Sequence, residues 1–274
     1  MSPVLLSIGH GYSGRATEAA LPGGWRVLGT SRQPGAAVPW PDGAAQAMAE
    51  ATHLLSWVPP GPDGDPVLPV IHDLPAPRLR WIGYASASSV YGDTGGAWID
   101  ETAPDAPTTA RGHARLAAEQ AWCAFARARA LPLARLRIAG IYGPGRSPLE
   151  ALTAGRAQRV VRPGQVFNRI HVEDLGRIAA AAAQARFDGP LILADREPAP
   201  LAEVTTYAAD LLGLTPPPEI AYEDAQLSPT AKSFWAENKR LASRHLATLG
   251  VSLRYPTYRE GLTALAAHHR DPSA

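Results

Sequence analysis

At 274 residues the chain has room for one large domain, or a large one with a smaller companion. Its 46% hydrophobic and 19% charged residues are those of an ordinary globular protein, and a net charge near +1 with no Lys/Arg stripe gives nucleic acid no footing. Cys123 is the single cysteine, which excludes a disulfide framework and suits a reducing compartment.

The opening "MSPVLLSIGHG" has no basic region and no full-length apolar core, so no signal peptide is expected. "VLLSIG" at 4–9 is a short apolar run stopped by glycine, the pattern of a buried parallel strand. "WRVLGTS" at 25–31, "THLLSWV" at 52–58, "RLRWIGYAS" at 78–86 and "LARLRIAGIYG" at 133–143 repeat it. Helices are predicted between these strands at 13–20, 43–51 and 110–130. The alternation predicts an α/β fold of the Rossmann type, a doubly wound parallel sheet with helices on both faces. Beyond "GIYGPGRSP" the rhythm changes. Short strands in "RVVRPG" and "PLILAD" mix with helices at 173–185 and 201–212, and 239–268 reads as helical apart from a "YPTY" break. Residues 1–146 with part of 165–195 are therefore expected to form the Rossmann-type domain, and 147–164 with 196–274 a small C-terminal α/β substrate lobe. The Ala-rich run at 178–185 is too short to span a bilayer, so a cytoplasmic protein with no membrane partner is expected.

Gly9-x-Gly11-x-x-Gly14 follows the first strand and opens a helix. Glycines there permit a tight turn and bring backbone N–H groups up to a pyrophosphate at the helix N-terminus. Gly9, His10, Gly11, Tyr12, Ser13 and Gly14 are thus the expected cofactor loop. At the end of the next strand, a fold preferring NAD carries an Asp or Glu for the ribose 2′-hydroxyl. Here it reads "GTSRQP": Thr30, Ser31 and Arg32 offer two hydroxyls and a guanidinium, a set suited to a 2′-phosphate. NADP(H) is expected over NAD(H), the alternative being that Arg32 is only a solvated surface residue.

Four motifs in order are "GHGYSG", "SASSVYGDTGG" at 86–96, "LRIAGIYGPGR" at 136–146 and "NRIHVEDL" at 168–175. With them the chain resembles the extended short-chain dehydrogenase/reductases, the NAD(P)-dependent epimerase/dehydratase family, from the first strand to roughly Asp195. The resemblance implies a Rossmann domain plus a small substrate domain. It places "GIYGPG", with Ile141 and Tyr142, at the nicotinamide end, and adds Trp57 and Ser86 to the cofactor contacts. His171, Glu173 and Asp174 read best as a helix start whose acids complement its dipole.

The departure lies in the catalytic set. Members of that family carry a Ser or Thr four residues before the Tyr of "VYG", and a Tyr-x-x-x-Lys on the next helix. Counting back from Tyr91 lands on Ala87, between Ser86 and Ser88, and registering on Glu119 puts Arg111 and Arg115 at the Tyr and Lys positions. No Tyr-x-x-x-Lys occurs elsewhere, since the only lysines, Lys232 and Lys239, follow Ser228 and Trp235 by four residues. The chain thereby resembles the family's atypical branch. Arginine stays protonated at any working pH, yet it clamps carboxylates and phosphates through paired hydrogen bonds. Arg111 and Arg115, on one helix face, and Ser88 are the candidate catalytic residues, for a small polar or anionic substrate. His113 lies on another face, Tyr142 reads as a spacer, and Asp93, Asp100 and Glu101 read as loop-fixing acids. Scattered histidines give no metal site. Two functions stay open: an epimerase/dehydratase-like oxidoreductase with an atypical site, or a catalytically silent NADP(H)-binding sensor or protein-interaction module. Either is expected as a monomer or homodimer.

Overall fold

The computed structural model describes residues 2–31 and 37–270. It opens with β1 (Val4–Ile8), turns through glycines into α1 (Tyr12–Ala20), and returns as β2 (Arg26–Ser31) and the two-residue β3 (Val38–Pro39). Then come α2 (Ala44–Glu50), β4 (His53–Ser56), the single turn α3 (Leu68–Ile71) and β5 (Trp81–Ala87). A 3-10 turn at Ser88–Tyr91 and the short β6 (Trp98–Ile99) lead to the long α4 (Ala110–Ala128), β7 (Leu133–Ile138) and β8 (Gly140–Tyr142). α5 (Pro148–Thr153), β9 (Arg159–Val161), β10 (Arg169–His171), α6 (Val172–Ala185) and β11 (Gly189–Leu193) follow. The chain ends through α7 (Leu201–Leu212), β12 (Glu219–Ala221), α8 (Pro229–Trp235), β13 (Arg240–Leu241) and α9 (Tyr258–Arg270).

The main sheet has seven strands in the order β11-β7-β5-β4-β1-β2-β3, every pair parallel. From β1 the chain winds first to one side and then to the other, the doubly wound Rossmann arrangement. Neighbouring residues on each strand divide between the two faces. Leu6, Leu54 and Ile82 meet Met48 of α2 and Trp122 and Phe125 of α4, while Leu5, Leu55 and Trp81 meet Leu175, Ile178 and Ala182 of α6. Burial on both faces is why these strands read as continuous apolar runs rather than as alternation. On the α6 side, α1 approaches so closely that a Cβ on Gly176 would lie 2.3 Å from the Ala16 carbonyl oxygen.

A buried ion pair sets α4 on the sheet. Arg137 of β7 donates from Nε and Nη2 to the two oxygens of Glu119, at 3.1 and 2.7 Å, and Asp105 is a second carboxylate at 2.7 Å. This fixes where the first two turns of α4, with Arg111 and Arg115, point.

Over the carboxyl ends of the sheet, Leu149, Val204, Ala208, Tyr258 and Leu262 pack with Tyr142, and a second small core gathers Val160, Ala225 and Trp235. The two-stranded pairs β8–β10 and β6–β13 tie these pieces to the loops of the main sheet.

Residues 239–257 are not the helix their composition suggests; only Tyr258–Arg270 is helical there. Tertiary partners override propensity. Arg240–Leu241 pairs with Trp98–Ile99, and the buried Glu101 accepts from the Ser243 hydroxyl at 2.7 Å and the Arg244 N–H at 2.9 Å. Leu246, Leu249, Val251 and Leu253 pack onto the α6-side core. The long strand expected at 133–143 also divides, because the Ala139 N–H turns to the Leu193 carbonyl and β8 takes β10 as partner.

Candidate functional site

A cleft of about 1050 Å³ opens at the carboxyl ends of β1, β4, β5 and β7. It gathers residues from widely separated parts of the chain: Gly9, Tyr12, Ser13, Trp57, Ser86, Ser88, Arg111, Arg115, Ile141 and Tyr142 all line it. The remaining expected residues sit elsewhere. His10 turns beneath the glycine loop, 3.0 Å from Ser7 Oγ and 3.1 Å from Glu18 Oε2. Thr30 is buried and its hydroxyl oxygen accepts from the Gly9 N–H at 3.1 Å, which shapes the loop from below. Gly11, Gly14 and Ser31 do not line the cleft, and Arg32 lies outside the described residues.

The loop has the features an anion needs. Gly9 takes φ +73°, a left-handed conformation that favours glycine, and a Cβ there would press to 2.8 Å from Val58 Cγ2. Gly11 begins α1 with no side-chain cap, so the helix N-terminus keeps N–H groups for a ligand. At the other end of the cleft the Ser86 hydroxyl is buried without a hydrogen-bond partner among the described residues. An uncapped helix at one end and an orphaned hydroxyl at the other fit a dinucleotide lying across the strand ends. Tyr12 spans part of that space, its hydroxyl donating to the Pro144 carbonyl at 3.1 Å.

Arg111 and Arg115 share a helix face but diverge. Arg115 donates to the Tyr84 hydroxyl at 3.0 Å and to the Ala85 carbonyl at 2.9 Å, so β5 fixes its guanidinium plane. Arg111 reaches the other way, donating to Ser233 Oγ at 3.2 Å and stacking 4.3 Å over the Phe234 ring, which is 53% exposed. Burial pushes the Tyr84 hydroxyl up to about 12 despite Arg115, so it stays protonated near neutrality. Burial, reinforced by Asp195 and Asp174, also raises Tyr142, which packs edge-on to His171 at 5.2 Å.

The acids of "NRIHVEDL" serve the framework. The His171 ring accepts from the Glu173 N–H at 3.2 Å, and the buried Asp174 accepts from the N–H groups of Arg254 and Tyr255 at 2.7 and 2.8 Å.

Several lining residues were not anticipated: Arg146, Arg156 and Arg169, and above all Glu237 and Lys239. Lys239 Nζ lies 2.5 Å from Glu237 Oε2, and Glu237 also accepts from the Thr109 hydroxyl at 3.1 Å. The scarcity of lysine was the one local signal pointing to Lys239. Among the described residues no cluster of His, Cys, Asp or Glu could hold a metal ion, and no helix is long and apolar enough to cross a membrane.

The sequence profile of the NAD dependent epimerase/dehydratase family matches residues 67–191. That stretch, a little under half of the chain, is similar to members of that family. Solved structures share the fold over nearly the whole chain. A conserved protein of unknown function from Silicibacter pomeroyi is 45% identical over 97% of this chain and 99% of its own, with a TM-score of 0.85. A human epimerase-family protein, solved with NADPH, is 18% identical over 96% of this chain and 99% of its own, at a TM-score of 0.80. A 3-diazoavenalumate denitrifying reductase from Streptomyces is 30% identical over 141 residues, 46% of this chain and 45% of that one. The matched stretch thus spans less than half the length of that curated relative.

Proposed function

We propose that the chain is an NADP(H)-binding oxidoreductase of the epimerase/dehydratase type whose cleft takes a small polar, anionic substrate. The observation that carries this is the charge of the cleft wall. Among the described residues, six cations, Arg111, Arg115, Arg146, Arg156, Arg169 and Lys239, face two carboxylates, Glu150 and Glu237. Both carboxylates are already engaged: Glu150 accepts from the N–H groups of Gly145 and Ser147, at 2.9 and 2.8 Å, and Glu237 pairs with Lys239. A wall so biased favours a carboxylate or phosphate.

A bound nicotinamide dinucleotide supplies hydride donation or acceptance. In this reading residues 1–146 with part of 165–195 hold it and 147–164 with 196–274 cover the substrate. The Gly9–Ser13 backbone takes the pyrophosphate, while Trp57, Ser86, Ile141 and Tyr142 border the far end. Preference for NADP(H) is supported by the end of β2, where Thr30 and Ser31 are followed by "RQPGAA" with no acid for a free 2′-hydroxyl. Arg32 would pair with a 2′-phosphate. Ser88 and the two arginines, one braced by β5 and one by α8, orient the substrate and stabilise charge on its oxygen. The name of the Streptomyces relative, a reductase, agrees with this chemistry.

Fluorescence titration with NADPH and NADH, followed by a panel of carbonyl compounds bearing carboxylate or phosphate, tests the proposal. NADPH is expected to bind more tightly, and Arg111→Ala and Arg115→Ala to weaken turnover of anionic members. Tighter NADH binding would overturn the cofactor preference. NADPH binding with no turnover across the panel would favour the silent sensor, for which the two bonds holding Arg115 to the sheet already speak.

A further inference from the structure

Interconverting a carbonyl and an alcohol moves a proton as well as a hydride, and the arginines standing where the family keeps its tyrosine and lysine cannot exchange one. The nearby phenols are poorly suited. Tyr84 is tied to Arg115, and Tyr142, though on the wall, turns its hydroxyl to the Thr257 carbonyl; burial holds both protonated.

Among the described residues, one amine faces the cleft. Lys239 and Glu237 are each only 7% exposed, yet both lie on its wall. The segment carrying them is fastened from three sides. The Lys239 carbonyl accepts from Asn168 Nδ2 at 2.9 Å, and the Asn168 carbonyl accepts from the Gly140 N–H at 3.1 Å, just past the end of β7. The Asn238 carbonyl accepts from the N–H groups of Thr94 and Gly96 at 3.0 and 2.9 Å, and the Asn238 N–H donates to Asp93 at 2.8 Å. Glu237 accepts from Thr109, the residue that caps α4 through the Gly112 N–H at 3.1 Å. Gly112 in turn packs so tightly on the Ser89 carbonyl that a Cβ there would lie 2.7 Å from it. The pair is therefore held between the ends of β5 and β7, in the same wall as the unpartnered Ser86 hydroxyl. A charged pair costs free energy to bury, and one preorganised by so many bonds on a wall open to ligand points to use.

We propose that Lys239, positioned by Glu237, is the proton-transfer residue of this cleft. The proposal rests on the cofactor-dependent function above. In the reductive direction the carbonyl carbon gains hydride from a reduced nicotinamide dinucleotide. The Nζ–H bond breaks as the new O–H bond forms, leaving a neutral amine that recovers its proton from water. Oxidation of an alcohol reverses each transfer, with the amine accepting the hydroxyl proton. Glu237 keeps the ammonium in place while Arg111 and Arg115 hold the anion. Work that the family assigns to one helix is here shared between α4 and the 237–239 segment.

The test needs no substrate. The oxidised nicotinamide ring is cationic and the reduced ring is not, so an unbalanced charge beside it changes the ratio of the two affinities. Dissociation constants for NADP+ and NADPH are measured on the wild type, Lys239→Met, Glu237→Gln and the double variant, with Lys232→Met as an exposed control. Lys239→Met leaves a lone carboxylate and is expected to favour NADP+ by about fivefold or more, whereas Glu237→Gln leaves a lone ammonium and moves the ratio as far the other way. The double variant and Lys232→Met stay near wild type. Ratios agreeing within about twofold throughout overturn the assignment and leave the cofactor function standing. Failure of the wild type to bind either form removes both. Should the variants not fold, a crystal structure of the wild type with NADP+ decides: Lys239 Nζ facing the ring upholds the assignment, and Nζ turned away from it overturns it.

Discussion

Two buried ion pairs flank α4, and they differ in what lies beyond them. Arg137–Glu119 is sealed between helix and sheet, with side chains 2% and 1% exposed, Asp105 as a second carboxylate and the Tyr91 ring 4.7 Å from the guanidinium. Glu237–Lys239 meets through one ammonium contact and faces the cleft. The fork of arginine matches a carboxylate bidentately and keeps its charge, which suits a brace. An ammonium has three N–H groups, so Lys239 retains donors after binding Glu237. In a chain that otherwise uses arginine for nearly all its positive charge, lysine is buried where a proton can leave, and arginine where only orientation is needed.

The comparison breaks most directly at the brace. Glu119→Ala leaves the Arg137 charge buried beside the partly exposed Asp105 alone, and is expected to cost about 3–5 kcal/mol in urea unfolding with the m-value unchanged. Glu237→Gln is expected to cost about 1–2 kcal/mol, because an amide still accepts from Thr109 and Lys239 can turn toward cleft water. Equal losses at the two positions would make both pairs structural.

A third buried charge sharpens the contrast, because among the described residues it has no ion-pair partner at hydrogen-bond distance. Asp195 is buried with Oδ2 unpartnered, while the nearby Arg169 spends Nη1 on the carbonyls of Phe167 and Ala199. Burial raises its carboxyl to about 7. The folded state thus holds a proton that the unfolded chain releases near pH 4, and stability falls as pH rises from about 4 toward 7. Asp195→Asn removes that penalty while its amide oxygen can still accept from the Glu197 N–H. It is expected to gain about 2 kcal/mol at pH 8 and nothing near pH 4. A gain independent of pH would rule out a proton held at Asp195.

Legibility follows the range of the constraint. The Gly9–Gly14 turn and the apolar strands were readable because a tight turn and two-sided burial dictate residue type locally. Arg111 and Arg115 stood out by helical spacing and by a resemblance that supplied the expected residues. Their divergence was hidden, since Tyr84 and Ser233, which separate them, lie far off in sequence. Glu237 was invisible for the same reason: its meaning comes from Thr109, 128 residues earlier. The 239–257 segment misled because its helix-forming residues answer to Glu101 and β6 rather than to each other.

The smallest effect lies at the opposite end of the sheet from the cleft. His53, at the start of β4, is buried between Trp25 and Trp81, with ring centroids 4.7 and 6.0 Å away, and its Nδ1 lies 2.9 Å from the Thr52 hydroxyl. Burial, with Arg186 and Arg80 adding repulsion, lowers it to about 4. Between pH 6.5 and 4 the unfolded chain takes up a proton that the folded ring refuses, so stability is lost as the solution is acidified. The loss is about 1–2 kcal/mol after allowing for partial solvation of the ring. His53→Gln is expected to flatten this acid limb of the stability curve and to leave NADPH affinity unchanged, since the residue touches nothing that lines the cleft except through β4. A fall in affinity would instead show that the base of β4 governs the strand ends proposed to hold the cofactor, and the separation between brace and cleft drawn from the two ion pairs would have to be given up.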